Sequence, residues 1–70
     1  MMPLIFADDG EVNVIRAIKG TEEVRHHLSN LGFVVGGTVQ IISRMGNNVI
    51  VNVKESRIAV DEKMAQKIMI

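Results

Sequence analysis

Hydrophobic and polar residues alternate almost without a break from Thr38 to Val53, whereas from Thr21 to Leu31 the apolar positions recur at helical spacing. The chain therefore reads as strands arranged around one short amphipathic helix. In that helix Val24, Leu28 and Leu31 fall at i, i+4 and i+7 and form one apolar stripe. Thr21 is the expected N-cap, because its hydroxyl can accept from a free backbone N–H of the first turn. Glu22 and Glu23 place negative charge where the helix dipole is positive, and Gly32 directly after Leu31 supplies the left-handed stop. A helix this short is marginal in isolation, since few turns follow its costly nucleation. It needs a sheet to lie on.

The rest of the pattern supplies that sheet. Leu4 to Ala7 predicts a short strand, and Asp8-Asp9-Gly10 a turn. Glu11 to Ile18 predicts a second strand with Val12, Val14 and Ile18 on one side and Ile15 and Ala17 on the other. After Gly36-Gly37, the strand from Thr38 to Met45 places Val39, Ile41 and Met45 on one face and Gln40 and Arg44 on the other. Gly46-Asn47-Asn48 is a hairpin signal, leading into Val49 to Val53, where the three valines share a face and Asn52 and Lys54 look to solvent. Glu55-Ser56 turns the chain into a strand from Arg57 to Val60, with Ile58 and Val60 inward. Asp61 caps a single helical turn in which Ala65 permits close approach, and Lys67 to Ile70 closes the fold through Ile68. The predicted fold is mainly β: a small barrel with one short α-helix and a one-turn helix near the C-terminus, in a single domain over residues 1–70. Closure would remove exposed edges, and the strongly apolar VIVNV segment is expected to be a central strand.

Composition refines this. Hydrophobic residues make up 47% of the 70, yet the only aromatics are Phe6 and Phe33, so the core is aliphatic. So much aliphatic surface on so small a body predicts an apolar patch that meets a partner, and it admits a weak homo-oligomer. Eight basic residues balance eight acidic ones. A nucleic-acid binder draws most of its affinity from a net basic face, so DNA or RNA is not the expected ligand. The absence of cysteine excludes disulfides and thiol chemistry. The N-terminal MMPLIF run lacks the positive start and the length of a signal peptide, and no stretch approaches the ~20 apolar residues of a membrane span. A soluble protein without direct membrane insertion is expected.

Residues that carry chemistry do not combine. His26 and His27 are adjacent on a helix and point about 100° apart, so they cannot converge on one ion. Glu23 and His27 could give two ligands, but the sequence offers no third histidine and no cysteine. Gly32, Gly36 and Gly37 are not followed by the lysine of a phosphate loop, Ser29, Ser43 and Ser56 have no base beside them, and Asp8-Asp9 reads as a solvated turn. The expectation is a protein without catalytic residues, metal site or cofactor.

Two constellations, the helix ending in Leu31-Gly32-Phe33 and the segment Arg57-Ile58-Ala59-Val60 with Ala65 and Ile68, together resemble the FeoA family. Gly10, Gly20, Arg25, Leu28 and Gly36 complete the ordered pattern over nearly the whole chain. The basic run around the helix is here Arg25-His26-His27, Val35 replaces a frequent proline, and Gly37 is additional. The resemblance implies an SH3-like β-barrel in the cytoplasm, without catalysis, that associates with a large membrane ferrous iron transporter whose cytoplasmic part is a GTP-binding domain. It also implies an alternative: such barrels occur as regulatory modules of metal-dependent transcriptional repressors. This chain shows no helix-turn-helix segment and begins close to its first strand, which favours the first reading. A module without chemistry acts through contact. The expected contact residues are Arg25, His26 and Asn30 on the helix flank, with Met45 and Asn47 at the hairpin. The opposite face, around Arg44 and Arg57, is the alternative surface.

Overall fold

Alternation predicts antiparallel ladders, and a computed structural model describing residues 1–70 shows them. The elements run β1 (Val12–Val14), β2 (Ala17–Ile18), α1 (Glu22–Asn30), β3 (Thr38–Met45), β4 (Asn48–Val53), β5 (Ser56–Asp61), α2 (Glu62–Ala65) and β6 (Ile68–Met69). One four-stranded sheet has the order β1-β3-β4-β5, and a second pairs β2 with β6. All pairings are antiparallel. The VIVNV segment is central, as expected. Its valines Val49, Val51 and Val53 line the core with Val39, Ile41, Val60, Ala65 and Ile68.

The helix is held at both ends by the predicted means. Thr21 Oγ1 accepts from the Val24 N–H at 3.2 Å. At the other end Gly32, at φ +110°, lets its own N–H reach the Ser29 carbonyl at 2.9 Å and the Phe33 N–H reach that of Leu28 at 3.0 Å. These two bonds are the Schellman closure, and they bring the side chains of Phe33 and Leu28 into the core together. Both are fully buried, Val24 is half-buried and Leu31 is exposed. The third member of the apolar stripe is therefore Phe33 rather than Leu31.

Other departures have physical causes. Leu4–Phe6 is a 3-10 turn, not a strand. Pro3 fixes its entry, the Phe6 and Ala7 N–H groups bond back to Pro3 and Leu4, and Leu4 and Ala7 are buried with Ile5 packed partly against the core. The predicted strand over Glu11–Ile18 is divided because its two halves serve different sheets. Ile15 gives its N–H to Gly37, whereas Arg16 gives its own to Met69 at 2.8 Å. Ile15 faces the core, and Val12 and Val14 face solvent, the reverse of a simple apolar-inward reading for those two valines. In β3 the pairing passes from Ile41↔Val51 to Ser43↔Ile50, so Ile42 is the extra residue of a bulge. That residue inverts the alternation beyond it: Arg44 comes to lie opposite the buried Val49, and Met45 turns outward.

The barrel is SH3-like but split. No ladder joins β5 to β6, so hydrogen bonding does not close it; α2 packs instead on β4, β5 and the 3-10 turn. Asp61 Oδ1 caps α2 by accepting from the Met64 N–H at 2.7 Å. The N-terminal segment extends the small sheet, with Pro3 bridged to Met69. Met2 and Ile70 exchange two backbone bonds of 2.8 and 3.0 Å.

Candidate functional site

No polar side chain is buried, and no three His, Asp or Glu side chains are placed to hold a metal ion. Whatever the molecule binds, it meets at the surface. On the flank of α1, His26 and Asn30 share a shallow depression with Glu23, Val24, His27 and Met64 of α2. The i to i+4 spacing stacks His26 and Asn30 on one helix face, and Met64 gives the depression an apolar floor. Arg25 does not line this depression, and its Nη1 donates to the Gly20 carbonyl at 3.4 Å.

The hairpin residues lie elsewhere. The Asn47 carbonyl accepts the Glu62 N–H at 2.8 Å, tying the β3–β4 turn to the start of α2. Asn47 lines a separate depression with Asp61, Glu62, Lys63 and Gln66. Met45 is exposed beside it in sequence, at 66%. Of the five residues expected to form one contact surface, the structure brings His26 and Asn30 together; Met64 and the polar residues of α2 line different depressions, so α2 stands between the helix flank and the hairpin.

Arg44, expected on a free opposite face, is committed internally. Its Nε donates to Asp9 Oδ1 at 3.0 Å, and its Nη1 and Nη2 donate to the carbonyls of Ile5 and Ala7 at 2.9 and 2.8 Å. It clasps the 3-10 turn to β3. Arg57 ends a polar row across the outside of the large sheet. Gln40 Nε2 donates to the Gly10 carbonyl at 2.7 Å, Asn52 Nδ2 to Gln40 Oε1 at 3.5 Å, and Arg57 Nε to Asn52 Oδ1 at 3.4 Å. Each amide donates on one side and accepts on the other, so the row fixes both amide orientations.

Sequence reasoning missed the exposed apolar set of Phe6, Val12, Val14 and Val35. Phe6 stands 68% exposed on a backbone that Arg44 holds on both sides, at Ile5 and Ala7. Aromatics presented on rigid backbone are typical anchors of contact surfaces. No sequence signal marks Val12 and Val14 as outward; the pairing of the intervening Asn13 with the fully buried Val39 turns that other face of β1 towards the core. No helix is long and apolar enough to cross a membrane.

Known proteins share both the sequence and the fold. A protein of Methanocaldococcus jannaschii, named as a candidate Fe(2+) transport protein A, is 31% identical over 70 residues, spanning 100% of this chain and 85% of that one. The crystal structure of an iron uptake regulatory protein, FeoA, superposes with a TM-score of 0.87 at 25% identity, covering 96% of this chain and 91% of that chain. The solution structure of FeoA from Chlorobium tepidum also gives 0.87, at 21% identity over 97% of this chain and 67% of its own. A manganese-dependent transcriptional repressor shares the fold, with a TM-score of 0.84 at 14% identity, over 94% of this chain but only 38% of the repressor. The FeoA domain model matches residues 2–70, essentially end to end, and the chain belongs to the FeoA family.

Proposed function

We propose that this chain is a non-enzymatic accessory protein of ferrous iron uptake, acting in the cytoplasm as a single domain by docking on the GTP-binding part of a membrane iron transporter. The observation that carries the reading is the end-to-end family match, joined to a full-length relative named for Fe(2+) transport. The surface is consistent with action by contact, since it offers exposed apolar side chains beside hydrogen-bonding groups. A partner that binds one conformation of the transporter better than another shifts its populations by that difference in affinity.

The docking surface on this reading is the flank of α1, with Arg25, His26 and Asn30, and a second contact comes from Met45 and Asn47 across α2. Arg25→Glu is expected to lower uptake of radiolabelled ferrous iron severalfold in cells that depend on this protein, without changing its melting temperature, since Arg25 is exposed and makes one long hydrogen bond. Normal uptake in cells carrying Arg25→Glu with Asn30→Ala would remove this surface from consideration. The docking itself is tested by co-purification with the transporter from the same cells, with and without GTP.

A second reading, a regulatory module working with a metal-dependent repressor, is favoured by one observation: the shared fold of the manganese-dependent repressor. It predicts that deletion of the protein changes transcription of metal-regulated promoters while leaving transport by a constitutively expressed transporter intact.

A further inference from the structure

Lys19 and Lys67 stand opposite one another. The Lys19 N–H donates to the Lys67 carbonyl at 2.7 Å, one step beyond the Ile18↔Ile68 pair that joins β2 to β6. The two lysines thus meet at the end of the strand pair, where like charges brought opposite one another are destabilising. Lys67 is also half-buried. Gly20, at φ +114°, leaves a bare position that the Lys67 stem and Val24 fill; a Cβ built there would stand 3.3 Å from Lys67 Cδ and 3.2 Å from Val24 Cγ1. The stem is thus fixed and the ammonium carried out past it. Arg25 approaches the same glycine through its 3.4 Å bond to the Gly20 carbonyl.

Lys67 and Arg25 thus reach Gly20 and Lys19 adjoins it in the chain, and none of the three has an acidic partner, because the one ion pair of the structure joins Arg44 to Asp9. Of the acids nearest in sequence, Glu23 lines the depression with His26 and Asn30, and Glu22 pairs with none of the three. General basicity does not explain the cluster, since the whole chain carries a formal net charge of zero. We propose that Lys19, Arg25 and Lys67 form a binding site for a phosphate group. A phosphate brings up to two negative charges and three acceptor oxygens to one point, which suits unpaired cations gathered about a single glycine. The carboxylates of an extended acidic peptide are strung ~3.3 Å per residue along alternate faces, and match a row of cations instead. The site goes beyond the docking reading and does not rest on it.

The test is a backbone NMR titration of the full chain with sodium phosphate against sodium chloride at equal ionic strength. Phosphate is expected to move the amide signals of Lys19, Gly20 and Lys67 along saturating curves in the millimolar range, and chloride to leave them in place. Lys19→Met and Lys67→Met each keep the alkyl stem and are expected to weaken binding about tenfold, the loss of one charge-assisted hydrogen bond. Lys67→Arg should recover most of it. Sedimentation with phosphatidylcholine vesicles, with and without phosphatidylglycerol, separates the sources. Co-sedimentation that needs phosphatidylglycerol and both lysines makes the phosphate a lipid headgroup, and phosphate binding without co-sedimentation makes it a soluble one. Equal shifts with chloride, unchanged binding in both methionine variants with their spectra otherwise native, or saturation by hexaglutamate but not by phosphate would each overturn the site.

Discussion

At the scale of single residues, Arg44 shows how a charge that looks free in the sequence can be spent on the fold. All three of its nitrogens are engaged, two of them on carbonyls of the segment around Phe6. Those carbonyls lie in a turn with few partners of its own, so the guanidinium substitutes for the ladder a strand would have had. Arg44→Met keeps the stem and removes the clasp; it is expected to cost about 1–2 kcal/mol in urea unfolding. Asp9→Asn removes only the half-exposed ion pair and should change stability by less than about 0.5 kcal/mol. Equal effects of the two would mean that the ion pair, not the carbonyl bonds, holds the turn. Leu28 and Phe33 show the complementary case. Their burial follows from two hydrogen bonds that only the left-handed Gly32 allows, so a backbone requirement decides which side chains reach the core.

At the scale of elements, the two hairpins turn by different means. Between β3 and β4, Gly46 takes the positive φ, 57°, as its residue type permits. Between β4 and β5, Lys54 and Glu55 both take it, at 48° and 64°, the geometry of a type I′ turn built from residues that resist it. Replacing Lys54-Glu55 with Asn-Gly is expected to stabilise the protein by about 1 kcal/mol, read as a higher urea midpoint with an unchanged slope. This turn was half legible: Glu55 and Ser56 mark a reversal, but nothing in their identity announces left-handed backbone. The order of the later elements, both helix caps and the central place of Val49–Val53 were legible, because caps and alternation are local signals. The bulge at Ile42 was not, since an added residue leaves composition and spacing untouched while reversing Arg44 and Met45. The exposure of Val12 and Val14 was not either, because alternation gives two faces and does not say which is inside. The Leu4–Ala7 run was too short for its period to tell a turn from a strand. The candidate contact residues were chosen by type alone, and only His26 and Asn30 come to share a depression.

At the scale of the whole molecule, the split between the sheets is filled by helices and by chain ends rather than by a closed ladder. Exposed apolar residues lie on β1, at one edge of the large sheet, and on the 3-10 turn, while three of the eight basic residues gather around Gly20. The exposed apolar residues and the basic cluster thus lie on different elements, and Arg25 is the one residue that the proposed docking flank and the basic cluster share. The paired ends carry a separate consequence. Residues 2 and 70 are bonded neighbours, so the order in which the chain is threaded through the fold is nearly cyclic. A circular permutant in which a short Gly-Ser linker joins Ile70 to Met1, with new ends opened between Lys54 and Glu55, should keep the native circular dichroism spectrum and melt cooperatively. Its failure to fold would show that the β4–β5 hairpin must be covalently closed for the sheet to assemble. Its success would mean that a fluorescent or affinity module fused at residue 1 or residue 70 emerges from one spot, and that the domain can itself be inserted into a surface loop of a host without prising that loop apart.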